Sequence, residues 1–168
     1  CVVSMHTVKK MEDKTIRKGF GSAVIVSPTI VITAAHVVVG NDSAEIVLAN
    51  GERIGIESYV FPKLFITLGM HSNSHDIAVC RLKKSVDIDF YPKLYSEDDE
   101  KGKVCSVAGF GFSGKHNHRT LKNDRIKRAG SNIVDSVDDG ILICSVGEGV
   151  NTSLEFLINS GDSGGGLF

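Results

Sequence analysis

Apolar residues in this chain come in short runs rich in Val and Ile. Each run is closed by a turn signal, and no stretch keeps the spacing of a long amphipathic helix. Gly21-Ser22-Ala23-Val24-Ile25-Val26 ends at Ser27-Pro28, and Ile30-Val31-Ile32-Thr33 follows at once. Glu45-Ile46-Val47-Leu48 leads into Asn50-Gly51, a dipeptide that favours tight hairpins, and Arg53-Ile54-Gly55-Ile56 alternates beyond it. Ile77–Leu82, Val104–Ala108 and Ile141–Cys144 repeat the pattern. Side chains branched at Cβ suit a pleated strand and lose rotamers in a helix. Many short strands separated by Gly, Asn and Pro predict an all-β barrel or sandwich.

The 168 residues, 42% of them hydrophobic, suffice for one or two small cores. A net charge of -1 supplies no global basic field, so no nucleic-acid partner is expected. No apolar run approaches the roughly 18 residues of a membrane-spanning helix, and no signal peptide is visible. Tyr95–Gly102 is acidic and unpatterned and reads as a linker, which divides the chain into residues 1–98 and 99–168. Lys115–Arg128 is basic, with only Leu121 and Ile126 apolar, and reads as an exposed loop. His116 and His118 lie in it without a third ligand nearby, so no metal site is expected. The four cysteines, Cys1, Cys80, Cys105 and Cys144, permit three full pairings and fit no zinc spacing. Cys80, inside an apolar run, reads as a buried free thiol.

Three stretches carry chemistry together. Thr33-Ala34-Ala35-His36-Val37 closes a strand with a histidine, His75-Asp76-Ile77-Ala78-Val79 opens one with an aspartate, and Gly161-Asp162-Ser163-Gly164-Gly165 sets a serine among glycines. A serine hydroxyl is a poor nucleophile at neutral pH and needs a base beside it. Histidine titrates in the right range, and an aspartate fixes its tautomer. The N–H groups of Gly161 and Ser163 are candidates to hold a tetrahedral oxyanion. Singly, each motif has a bland reading: a structural histidine, a turn-forming aspartate, a flexible loop. In the order His, Asp, Ser on an all-β chain, the bland readings fail together.

These stretches, T-A-A-H-V, H-D-I-A-V-C-R-L and G-D-S-G-G, resemble the trypsin/chymotrypsin family of serine proteases. Gly19-Phe20-Gly21-Ser22 and Cys105–Gly111 extend the resemblance over nearly the whole chain. The resemblance implies two six-stranded Greek-key β-barrels, the second incomplete here, with the site in the cleft between them. His36 would then be the general base and acid, Asp76 its orienting partner, and Ser163 the nucleophile that forms an acyl-enzyme. Asp162 would be the carboxylate that pairs with a new amino terminus after activation. It also favours the trypsin side over the bacterial stress proteases of this fold, which carry Asn there.

Departures from the family shape further expectations. Gly19 and Val37 stand where the family often has a disulfide around the histidine. Leu157, six residues before Ser163, stands where trypsins carry a pocket Asp, so an apolar or small side chain is expected before the cleaved bond. No Ile-Val-Gly-Gly segment is present, so Asp162 is expected to lack its ammonium partner, at a cost of several kcal/mol or with the oxyanion loop unformed. The family partner of Cys105 would fall at position 169, and Cys144 lacks its upstream partner. Roughly fifty family residues beyond the nucleophile are wanting, so the chain is expected to be a fragment. Cys1 falls in what resembles the first core strand, which argues against a lipidated start.

The expectation is thus a secreted, monomeric serine endopeptidase with no cofactor. Its partners would be protein or peptide substrates and protein inhibitors. The alternative is a catalytically silent binding protein of the same fold, and a third reading is a stress protease with an appended peptide-binding domain.

Overall fold

A computed structural model of the chain describes residues 1–67, 75–114, 122–146 and 152–168. His116, His118 and the first half of the basic stretch lie outside the described residues. Six strands close into a barrel: β1 (Val2–Lys10), β2 (Ile16–Ser27), β3 (Ile30–Thr33), β4 (Ser43–Val47), β5 (Arg53–Val60) and β6 (Ala78–Leu82). Their order around it is β1-β2-β3-β6-β5-β4, every pairing antiparallel. Alternation along each strand sends one side-chain set inward. Val3 and Met5 of β1, Ala23 and Ile25 of β2, Val31, Ile46, Ile54 and Cys80 meet in a single core.

The two helices among the described residues are single turns. α1 (Ala35–Val38) follows β3 and buries Ala35, Val37 and Val38, which leaves His36 pointing outward. α2 (Leu64–Thr67) delivers Phe65, fully buried, into the barrel. The turns are where the sequence put them. β2 and β3 are joined across Pro28-Thr29. At Asn50-Gly51 the Glu52 N–H donates to Asn50 Oδ1 at 2.9 Å, and Gly51 takes a φ of 84° that a side chain would strain.

Residues 83–103 carry no strand. Beyond them β7 (Val104–Gly109), β8 (Arg128–Ile133) and β11 (Gly166–Leu167) form a three-stranded sheet in the order β11-β7-β8. β9 (Ser136–Asp138) and β10 (Ile141–Ile143) form a hairpin. This is the incomplete second barrel. β8 escapes a periodicity reading because it is built from small and polar residues. Asn132 is its one buried side chain, and its amide donates to Phe156 O at 3.1 Å.

All four cysteines are free thiols. Burial pushes Cys80 up to about 11, in keeping with the expected buried thiol. The Cys105 thiol donates to Asn132 O at 3.4 Å. Cys144 also stands at about 11, raised by burial and by Cys105, whose thiol is within its hydrogen-bonding reach.

Candidate active site

His36 reaches solvent because α1 is amphipathic over one turn. Asp76 is aimed at it by a tight reversal: His75 takes a φ of 66°, and the Ile77 N–H donates to His75 O at 2.9 Å. The carboxylate then grips the histidine twice. Its Oδ1 accepts the His36 main-chain N–H at 2.9 Å, and its Oδ2 contacts His36 Nδ1 at 2.6 Å. An ionised carboxylate has no proton to give, so Nδ1 carries the hydrogen and Nε2 is left as the acceptor. The ring is thus held in the tautomer a general base needs.

Ser163 arrives from the other half of the chain, on a loop bonded to the barrel through main chain. Its carbonyl accepts the Ser22 N–H at 2.8 Å. The Ser22 hydroxyl donates to Gly161 O at 3.0 Å and accepts the Phe110 N–H at 3.0 Å. Thr33 Oγ1 donates to Ser22 O at 2.7 Å, which ties in the strand that leads to His36. A Cβ on Gly164, whose φ is 82°, would collide with Thr33 Oγ1, Ser22 O and Ala34 N. Only glycine lets the loop lie this close. Among the described residues the Gly161 and Ser163 N–H groups have no acceptor, and no hydrogen bond joins the Ser163 hydroxyl to His36.

Asp162 differs from expectation. Its carboxylate is buried and meets no cation among the described residues, yet it is not orphaned. Oδ1 accepts the Gly111 N–H at 2.7 Å and Oδ2 accepts the Asn159 N–H at 2.9 Å. Two main-chain N–H groups thus satisfy the carboxylate without a cation. Gly111 has to be glycine, because a Cβ there would run into the Asp162 carboxylate.

A cleft of about 1140 Å³ opens beside the loop, lined by Asp76, Ser163 and Gly164 on one side and Leu142, Phe156 and Leu157 on another. Leu157, 47% exposed, lines this cleft. Residues 156–159 belong to no strand, and a bridge between Ser131 and Glu155 and a bond from Thr152 Oγ1 to Ser131 O hold the segment before them.

A sequence model of the trypsin family matches residues 3–168. The chain belongs to the trypsin family. Neuropsin, a serine protease expressed in the limbic system of mouse brain, superposes with a TM-score of 0.66 at 18% identity, over 97% of this chain and 75% of its own. HL collagenase gives 0.66 at 18% identity, over 98% and 74%. At that identity the structural likeness speaks for the fold. Comparison with curated proteins finds no match.

In this trypsin-family chain, Ser22 and Asn159 hold the site together, and neither had been assigned a role from sequence. Ser22 had a signal: a small polar residue inside the run Gly21–Val26, fully buried in a strand that otherwise supplies core. Asn159 acts through its backbone and left none. Asp162→Ala is expected to leave the Gly111 and Asn159 donors unpaired, at a cost on the order of 3 kcal/mol. Urea unfolding followed by fluorescence measures it; an unchanged midpoint would mean that solvent satisfies both donors.

Proposed function

We propose that this trypsin-family protein is a secreted serine endopeptidase in which Ser163, His36 and Asp76 form the catalytic triad. The observation that carries the reading is the double grip of Asp76 on His36, at 2.9 and 2.6 Å, with Asp76 and Ser163 on one cleft. In the reaction His36 Nε2 takes the Ser163 proton as Oγ attacks the peptide carbonyl. It then gives that proton to the leaving amine, and a water repeats the sequence to release the acid. The Gly161 and Ser163 N–H groups, without acceptors among the described residues, supply the donors that stabilise the oxyanion. Bonds between nucleophile and base are commonly loose before substrate binds.

The cleft favours an apolar side chain before the scissile bond. Its wall carries Leu142, Phe156, Leu157 and Ile158, and its two carboxylates are committed elsewhere, Asp76 to His36 and Asp162 to Gly111 and Asn159. Among the described residues, no carboxylate of the lining is left to neutralise a substrate Lys or Arg. Substrates are therefore peptides or proteins, with protein inhibitors of the same shape as natural competitors.

The test is covalent labelling. A fluorophosphonate probe should modify Ser163 in the full-length protein, as read by peptide mass spectrometry, and His36→Ala should remove the label. An unlabelled, folded full-length protein would instead support a silent binding module.

A further inference from the structure

A second concavity, of about 280 Å³, is lined by His36 and shares no lining residue with the large cleft. It lies at the open end of the first barrel. Met5 of β1 points into the core, so Thr7 and Lys9 continue the same face outward. Arg17 of β2 lies directly opposite Lys9 in the register, and both line the concavity with Phe20, Val39 and Asn41. Like charges paired across strands are unfavourable unless something compensates. Among the described residues neither makes an ion pair. Of the carboxylates nearby in the hairpin and its neighbour, Asp13 accepts from Thr15 and Asp42 from the Lys10 N–H, and Glu12 of the turn pairs with neither cation.

We propose that Lys9 and Arg17 form a subsite for an acidic side chain of the substrate, on the leaving-group side of the cleaved bond. The inference rests on the triad proposed above. Ser163 lines the large cleft, where the acyl half of the substrate sits, and His36 gives its proton to the departing amine. The chain attached to that amine therefore runs past His36 into the concavity that His36 shares with Lys9 and Arg17. An Asp or Glu carried there supplies the missing counter-charge, and each carboxylate oxygen can accept from a guanidinium or ammonium.

Acyl transfer isolates this subsite. An ester of an apolar amino acid acylates Ser163 without occupying the leaving side. An added peptide amide then competes with water: its amine attacks, the C–N bond forms, the ester bond to Ser163 Oγ breaks, and the amine proton passes through His36 to that oxygen. With the full-length protein at low salt, Ala-Glu-Glu amide should capture the acyl group about fivefold to tenfold better than Ala-Lys-Lys amide, as two exposed ion pairs allow. The preference should shrink in 0.5 M NaCl, vanish in the double variant Lys9→Gln/Arg17→Gln and persist in Lys9→Arg. Ester hydrolysis with equal capture of both peptides overturns the subsite and leaves the triad standing. A preference that survives the double variant also overturns it. Absence of ester hydrolysis overturns the proposed activity, and the subsite with it.

Discussion

Ser163→Ala and His36→Ala are each expected to lower kcat by about 10⁶-fold, and the double variant no further, because nucleophile and base act as one unit. In the proposed mechanism no acyl-enzyme forms without Ser163. Without His36 the hydroxyl keeps its proton, and the leaving amine departs unprotonated. Neither side chain holds the fold together. His36 faces solvent from α1, and the loop is bound through Ser163 O and not through its hydroxyl. Both variants should therefore unfold at the wild-type midpoint while losing turnover. Steady-state kinetics on an apolar peptide substrate, with thermal unfolding as control, check this. Losses that simply added in the double variant would show the two residues working independently.

Asp76→Asn is expected to cost about 10⁴-fold in kcat with little change in KM, the scale that the same exchange has in Ser-His-Asp triads generally. The geometry gives the reason. Asp76 accepts from two donors on one residue, the His36 main-chain N–H and Nδ1. An asparagine has one acceptor and one NH₂ group. The main-chain N–H can only donate, so it claims the amide oxygen. The NH₂ group then faces the ring, and Nδ1 must become the acceptor. That moves the hydrogen to Nε2 and removes the base. Kinetics with ring-nitrogen NMR would follow the tautomer directly. A variant that kept Nδ1 protonated and stayed active would contradict the double grip.

The strands of the first barrel were legible where both burial and turn chemistry wrote themselves into the sequence. β3 coincides with Ile30–Thr33, and Asn50-Gly51 turns the hairpin between β4 and β5. β1 and β5 run further than their apolar signal, because their outer ends, such as Lys9-Lys10 and Ser58, pair through backbone while their side chains stay wet. β8, β9 and β11 were not legible, since short strands of small or polar residues carry little alternation. At the site, His36 and Asp76 were recognisable from their flanking motifs. The role of Asp162 was only half legible, because its partners are peptide N–H groups of Gly111 and Asn159, which any residue type supplies.

The Ser22 clasp also bears on the order of folding. Its bond to Gly161 closes 139 residues of chain and its bond to Phe110 closes 88. Contacts so distant in sequence meet their loop-closure cost before they return any stability, so they form after the local hairpins. The nucleophile loop can lock only onto a finished β2 and β3. A half-folded chain therefore has its histidine turn but no seated serine, and the proposed site is assembled last.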